Sequence, residues 1–155
     1  MNEKETKDIY YYVNEAYKMV VNKYLENDEL DRDIDDIINK FSDIIFDICS
    51  EYIIYDDMAK KLLMDDTANL TDFAYCIDYY LGTELKFIDL IEKPRKCCNF
   101  YLTALLWYKL DDVLTNELEE KMEDFENQYR KMGKDLYSPE AKEHYRKMVT
   151  NTLLG

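Results

Sequence analysis

The sequence predicts an all-α fold, a single compact bundle of six or seven helices around a central buried helix, over residues 1–155. Apolar side chains recur at steps of three and four along nearly the whole chain, which is the period of an amphipathic helix. Only three glycines and two prolines occur, too few for the turns of a many-stranded sandwich or barrel. Residues 101–110 are apolar on every side of a helix and form the expected central helix.

Two long amphipathic helices are expected in the first third of the chain. The first covers about residues 5–26, and its apolar positions are Ile9, Val13, Ala16, Val20 and Tyr24. The second covers about residues 28–54, with Asp28 as its N-cap. Its apolar positions are Leu30, Ile34, Ile37, Ile38, Phe41, Ile44, Ile45, Ile48 and Cys49. Many are β-branched, but pairs that recur with the helical period favour a helix over a strand.

Three shorter helices are expected between the second long helix and residue 94. The pattern predicts one from Asp56 or Asp57 to residue 64, one over residues 71–81 and one over residues 83–92. Gly82 supplies a left-handed stop for the middle helix. Pro94 breaks the last of the three, because proline has no N–H to donate and cannot continue a helix.

The longest helical segment is expected over residues 94–132, with a kink or break near Asp111. Its second half has a narrow apolar seam formed by Leu118, Met122, Phe125, Tyr129 and Met132. The seam lasts barely two heptads, which favours packing within the same domain over a coiled-coil dimer. Gly133 ends the segment, and Ser138-Pro139 begins a final helix. Its expected buried positions are Ala141, Tyr145, Met148 and Val149.

The chain is strongly acidic, and this restricts the classes of function. It carries 34 Asp and Glu against 20 Lys and Arg, a net charge of −14, whereas direct nucleic-acid binding needs a basic surface. The charged N-terminus has no secretory signal, and the most apolar stretch, residues 101–108, is too short to cross a bilayer. We therefore expect a cytoplasmic protein without membrane contact, in the host cell if the source is a phage or another virus. The four cysteines are expected to be buried reduced thiols.

The negative charge is concentrated in one part of the sequence. Residues 26–66 hold 14 acidic and 4 basic side chains, a net charge of −10, whereas residues 94–155 are nearly neutral. A helical wheel places a row of carboxylates opposite the apolar positions of the second helix, the predicted acidic face. Its members are Glu29, Asp33, Asp36, Asp43, Asp47 and Glu51, extended by Asp56, Asp57, Asp65 and Asp66. Lys40 is the only basic interruption.

This acidic face has two interpretations. It is a solvated surface, or it binds a basic groove of a partner protein. Ordinary exposed helices alternate unlike charges because like charges at i, i+4 repel by a few tenths of a kcal/mol, and that favours a binding role. The basic side chains near the C-terminus are expected to pair with the acidic helices. They are Arg130, Lys131, Lys134, Lys142, Arg146 and Lys147.

Tyrosine is unusually frequent, with 15 residues. Tyr11, Tyr75 and Tyr79 lie off the apolar positions of their expected helices. Tyrosine is enriched among the residues that dominate protein interfaces. These three side chains are therefore candidate anchors for a partner, alongside the interpretation that they are incidental surface residues.

The sequence contains no convincing catalytic or metal-binding constellation. Residues 31–36 begin like a calcium loop, but position 6 is Asp36 instead of glycine and position 12 is Ser42 instead of glutamate. His144 is the only histidine and has no recognisable triad partner. We therefore expect no cofactor, no metal and no enzymatic activity.

Two resemblances keep other functions open. Glu117-x-x-Glu120 and Glu140-x-x-Glu143 resemble the carboxylate pattern of all-α nucleotide pyrophosphohydrolases, which implies Mg²⁺ held between facing helices. The pattern departs from that family at Glu143, where aspartate is expected. A central apolar helix also resembles the layout of Bcl-2-like adaptors, including viral ones, although Trp107 is not followed by Gly-Arg.

In size and composition the chain resembles anti-CRISPR, anti-restriction and toxin-immunity proteins, which are short and acidic. The residue usage is also similar to that of proteins from AT-rich genomes, including phages. The resemblance implies stoichiometric inhibition of a basic nucleic-acid-handling protein such as a nuclease, through protein contact and with nucleic-acid mimicry as one route. The predicted acidic face and the candidate tyrosine anchors are the expected binding residues.

Overall fold

The computed structural model describes residues 8–52, 55–65, 78–79, 82 and 87–155, and most of these residues are helical. The predicted all-α class is confirmed, and no strand occurs among the described residues. The α-helices whose bounds lie within the described residues are α1 (Ile9–Leu25), α2 (Ile34–Glu51), α3 (Asp56–Asp65), α4 (Phe87–Glu92), α5 (Pro94–Asp112), α6 (Glu119–Met132) and α7 (Pro139–Leu154). A π-helical segment, Val113–Leu118, lies between α5 and α6.

The chain divides into two compact units, one of residues 1–17 with 46–108 and the other of residues 18–45 with 109–155. The described core of the first unit consists of Ile9, Val13, Ala16, Tyr17, Ala59, Leu62, Leu63, Cys97, Cys98, Tyr101, Leu102, Ala104 and Leu106. That of the second consists of Val20, Val21, Tyr24, Ile37, Phe41, Ile45, Leu110, Leu114, Leu118, Met122, Phe125, Tyr129, Ala141, Tyr145, Val149 and Leu153. The single domain over residues 1–155 stays a prediction.

Helix α1 agrees with its predicted pattern. All five of its predicted apolar positions are buried, and Tyr17 and Val21 are buried as well. In the second unit, the Tyr24 ring stacks on Phe41 of α2, with ring centroids 4.6 Å apart. Aromatic stacking of this kind contributes about 0.5–1.5 kcal/mol beyond the buried area.

Helix α2 begins six residues later than the sequence predicts, so Asp28 as its N-cap is wrong. Asp33 takes that place: its Oδ1 accepts a hydrogen bond from the Asp35 N–H at 2.8 Å, and its carbonyl accepts one from the Ile37 N–H at 3.1 Å. The reason lies outside α2, because contacts with α7 hold residues 26–32 in a non-helical conformation.

Arg146 on α7 provides the main contact with this loop. Its Nη1 donates to the Leu25 carbonyl at 2.7 Å, and its Nη2 donates to the carbonyls of Asp28, at 2.8 Å, and Asn27. The hydroxyl of the adjacent Tyr145 donates to the Asp31 carbonyl at 2.7 Å. A helix leaves its last carbonyls without intrahelical partners, and here a guanidinium satisfies one of them together with two from the loop.

Of the kink or break expected near Asp111, the break is absent because the backbone stays helical, and a π-helical segment, Val113–Leu118, begins directly after Asp112. A π-helical turn holds more residues than an α-helical turn. Four residues make slightly more than one α-helical turn and slightly less than one π-helical turn. Side chains spaced by four residues therefore rotate gradually around the axis of an α-helix, and the π-helical segment rotates them back. Leu110, Leu114, Leu118 and Met122, which are spaced by four, are all buried.

The ends of the later helices follow their sequence signals. Gly133 adopts φ +63° after α6, and Gly82 also has φ +63°. Ser138 Oγ accepts a hydrogen bond from the Ala141 N–H at 3.1 Å at the start of α7. Of the predicted helix over residues 71–81, only residues 78–79 are described, and they are helical.

Two predicted core positions, Met132 and Tyr108, are exposed, and a third, Met148, is only half-buried. Met132 is 56% exposed because it lies in the last turn of α6, beyond the buried part of the seam. Tyr108 is 59% exposed, so the stretch from residue 101 to 110 is not buried on every side. None of the helices in the described part of the chain has the length and apolar character needed to span a bilayer.

We predict that Arg146→Ala lowers the free energy of unfolding by about 2–3 kcal/mol, because hydrogen bonds from a charged donor are lost and loop carbonyls lose their partner. Urea denaturation measures the change. Lys147→Ala is the control, since Lys147 is exposed and pairs only within its own helix, and its effect should stay below about 0.5 kcal/mol. Equal effects of the two variants would contradict the role assigned to Arg146.

Candidate functional site

Four members of the predicted acidic face lie on α2 and are exposed. These α2 carboxylates are Asp36, Asp43, Asp47 and Glu51. None of them forms an ion pair with another residue in the described ranges 8–52, 55–65, 78–79, 82 and 87–155. They span the sixteen residues from Asp36 to Glu51, and the fifteen steps between these two residues correspond to about 22 Å of helix.

Lys40, the basic residue among the α2 carboxylates, does not neutralise them. Its Nζ lies 2.8 Å from Oδ2 of Asp31, which belongs to the loop before α2. The lysine charge is therefore directed toward the loop. Helix α2 carries five carboxylates and this single lysine, and its exposed side keeps a net negative charge.

Glu29 and Asp33 are exposed but do not lie on α2. Asp33 is the residue that caps the helix. Glu29 Oε1 lies 2.7 Å from Nζ of Lys142 on α7. A hydrogen bond from Lys142, together with the lysine charge, lowers the pKa of the Glu29 carboxyl below its ordinary value. The predicted acidic face is thus shorter than the helical wheel suggested, because the wheel extended α2 to residue 28.

The predicted extension of the acidic face is described only in part. Asp56 and Asp57 are exposed at the start of α3, and Asp56 lies 3.9 Å from Nε of Arg95. Asp65 ends α3, but its side chain, like the whole of Asp66, lies outside the described residues.

Of the three candidate tyrosine anchors, two are described and both are exposed. Tyr11 is 42% exposed and contacts Tyr12 edge-on, with ring centroids 5.2 Å apart. Tyr79 is 63% exposed. Tyr75 lies outside the described residues.

Phe46 is an exposed aromatic side chain that sequence reasoning missed. It is 75% exposed on α2, three residues after Asp43 and next to Asp47. The sequence did contain a sign of this exposure, because Phe46 falls outside the helical phase of the apolar residues Phe41, Ile45 and Ile48. An exposed aromatic ring beside exposed carboxylates offers a partner an apolar anchor next to charge.

The basic side chains of α7 are used elsewhere, so they do not compensate the α2 carboxylates. Lys142 pairs with Glu29, Arg146 binds loop carbonyls and Lys147 pairs with Glu143 at 3.6 Å. Among the described residues, the expected pairing of C-terminal cations with N-terminal acids is confirmed for Lys142 alone.

The chemistry of the other candidate groups is unremarkable. All four glutamates of the pyrophosphohydrolase-like pattern, Glu117, Glu120, Glu140 and Glu143, are exposed. Among the described residues, no group of three or more acidic, histidine or cysteine side chains could hold a metal ion. Of the four cysteines expected to be buried thiols, Cys97 and Cys98 are buried and free, Cys49 is free but only half-buried, and Cys76 lies outside the described residues. Burial, followed by the charge of Cys97, raises the pKa of Cys98 to about 12. His144 Nδ1 lies 2.7 Å from the Tyr129 hydroxyl.

No known protein family, curated protein or solved structure matches this chain. The site is therefore characterised by its own geometry, which is an exposed, acidic helix side with one exposed phenylalanine.

We predict that Lys142→Ala raises the pKa of Glu29 toward its ordinary value, because both the hydrogen bond and the neighbouring charge are removed. A folded-state pKa below the unfolded value stabilises the fold above the unfolded pKa, and this contribution is lost as pH falls through the folded pKa. Carboxyl titration followed by NMR measures the change. Lys147→Ala should leave Glu29 unaltered, and an unchanged Glu29 pKa in Lys142→Ala would refute the assignment.

Proposed function

We propose that this protein is a small stoichiometric inhibitor that binds a basic, nucleic-acid-handling protein through the exposed side of α2. The observation that carries the proposal is the row of exposed α2 carboxylates, which have no ion pair with a described residue. We propose no catalytic activity and no cofactor. We also propose that the fold is an all-α bundle of six or seven helices, which holds α2 in place.

Charge complementarity determines the type of partner. A cluster of like charges raises the local potential and speeds association with an oppositely charged surface by about 10–10³-fold at low salt. Grooves that bind nucleic acids are lined by lysine and arginine, because they neutralise phosphates. A protein that occupies such a groove with carboxylates prevents the nucleic acid from entering it.

The α2 carboxylates act by charge rather than by copying the spacing of phosphates. Four carboxylates over about 22 Å are spaced by about 7 Å on average, whereas the phosphates of one strand are about 3.4 Å apart. We therefore propose competition for part of a basic groove, with direct protein contacts, and not a faithful imitation of a nucleic-acid strand.

Phe46 adds the apolar part of the proposed interface. Exposed aromatic side chains are frequent among the few residues that supply most of the binding energy, whereas rim charges mainly affect the association rate. Phe46 in a pocket of the partner, flanked by Asp43 and Asp47 on its lysines or arginines, would supply both contributions. Tyr11 and Tyr79 remain further candidate anchors.

We predict that the triple variant Asp36→Lys, Asp43→Lys, Asp47→Lys weakens binding to the target at least tenfold without unfolding the protein, because the attraction becomes repulsion. The target is captured from source-cell lysate on the immobilised wild-type protein at about 0.05 M salt and released at about 0.5 M. The purified target's nucleic-acid cleavage is then titrated with each variant.

The matched control for this variant reverses three exposed carboxylates of α6, with Glu120→Lys, Glu123→Lys and Asp124→Lys. Both variants have the same net charge, so only the position of the reversed charges differs. The proposal expects the control to inhibit like the wild-type protein. Equal loss of inhibition in both variants, or no loss in either, would contradict it.

We also predict that Phe46→Ala raises the dissociation constant for the same target about tenfold, as expected for an apolar anchor. The free energy of unfolding should change by less than about 0.5 kcal/mol, because the ring is exposed. Isothermal titration calorimetry and urea denaturation measure the two effects. Met132→Ala, at another exposed apolar position, is the control. Unaltered affinity in Phe46→Ala would remove this residue from the interface.

A further inference from the structure

A cavity of about 420 Å³ lies within the second unit, between the loop from α1 to α2 and helix α7. Its volume falls in the lower part of the range of small-ligand pockets, about 300–1,000 Å³. Apolar contact surface comes from Leu30 and the rings of Tyr137 and Tyr145. The α2 carboxylates and Phe46 do not line this cavity, so a ligand in it is independent of the proposed function.

Arg32 is the unusual group in the wall of this cavity. Its guanidinium carbon lies over three rings, 4.8 Å from the centroid of Tyr137, 5.0 Å from that of Tyr145 and 5.6 Å from that of Phe125. Ring faces attract the positive charge, but they do not satisfy the in-plane N–H groups. Nη1 of Arg32 is buried and has no hydrogen-bond partner in the part of the chain that the structure describes.

The charges around the cavity leave an uncompensated positive charge. Three of its four carboxylates are ion-paired. The pairs are Glu29–Lys142 at 2.7 Å, Asp31–Lys40 at 2.8 Å and Glu143–Lys147 at 3.6 Å. The remaining charged groups in the wall are Asp28, Arg146 and Arg32. Counted with Lys40 and Lys147, which pair with wall carboxylates without lining the cavity, five cations face four carboxylates and the net charge is +1, whereas the lining residues alone carry four carboxylates and three cations.

We propose that this cavity binds a small organic acid that carries a single carboxylate on a flat, apolar body. The carboxylate accepts hydrogen bonds from Arg32, and the apolar body packs against Tyr137, Tyr145 and Leu30. Because Nη1 is covered, binding requires the guanidinium edge to turn toward the cavity. Planar guanidinium and carboxylate groups match in a two-bond geometry that a lysine cannot reproduce.

The charges in the wall also limit the ligand class. A multiply charged anion such as a nucleotide would exceed the single uncompensated positive charge and would face the carboxylate of Asp28. A neutral ligand would leave that charge unmatched. A carboxylate is also present at the end of a polypeptide, so the test separates the free acid from a peptide C-terminus.

The test is a titration of the full-length protein with 3-phenylpropionate, observed by ¹⁵N NMR at the Arg32 side chain and at the Tyr137 and Tyr145 amides. The expected result is a saturable shift of these signals. 3-Phenylpropanamide, which has the same shape without the charge, should bind at least tenfold more weakly. Inorganic phosphate should produce no saturable shift at these positions. Equal binding of the acid and the amide would overturn the proposal.

Variants of Arg32 connect the binding to the residue. Arg32→Gln should weaken 3-phenylpropionate binding at least tenfold. Arg32→Lys keeps a cation among the three rings and serves where the glutamine variant fails to fold, and it should weaken binding several-fold because the planar fork is lost. Arg95→Gln, at an exposed arginine of the first unit, should bind like the wild-type protein. Wild-type affinity in Arg32→Lys would overturn the proposal.

A tetrapeptide that ends in phenylalanine, with a free or an amidated C-terminus, separates the two sources of carboxylate. Weaker binding of the free-carboxyl peptide than of 3-phenylpropionate supports a small organic acid. Binding of that peptide without binding of 3-phenylpropionate would overturn the proposal in favour of a polypeptide end. An absence of saturable shifts with every probe would also overturn it.

Discussion

The contact between Arg146 and the carbonyls of Leu25, Asn27 and Asp28 is the interaction on which the second unit depends. One guanidinium satisfies the end of α1 and the following loop, and it keeps that loop from continuing either helix. As a consequence α2 begins at Ile34 and Asp33 becomes its cap. The same loop forms one wall of the cavity that contains Arg32.

This arrangement also determines which charges remain exposed without partners. Lys142, Arg146 and Lys147 are bound to Glu29, to carbonyl groups and to Glu143, and Lys40 is directed to Asp31. A chain with 20 basic residues could have neutralised its acidic helix. It keeps the α2 carboxylates exposed instead, and like charges along one helix are weakly destabilising. A partner with basic groups would relieve that repulsion, which is why we assign binding to this side.

Much of the fold could be predicted because the signals are local. The buried positions of α1, the left-handed Gly133 and the Ser138 cap each depend on residues within a few positions of one another. The π-helical segment could not be predicted, because its advantage is the alignment of buried residues spaced by four over several turns. Phe46 was missed although it falls outside the apolar phase of α2, because attention went to the carboxylates and tyrosines, and only the structure shows that its ring is 75% exposed.

The sequence by itself determined that the protein is helical, that its negative charge is concentrated in residues 26–66 and that most of the α2 carboxylates lie opposite an apolar stripe. These properties follow from composition and from the 3.6-residue period, which require no knowledge of distant contacts. Only the tertiary structure decided where α2 begins, which carboxylates are paired and that Arg32 lies among three aromatic rings. Those features depend on contacts between residues more than ninety positions apart, such as Arg32 with Phe125 and Arg146 with Leu25. Such contacts cannot be predicted from the spacing of neighbouring residues.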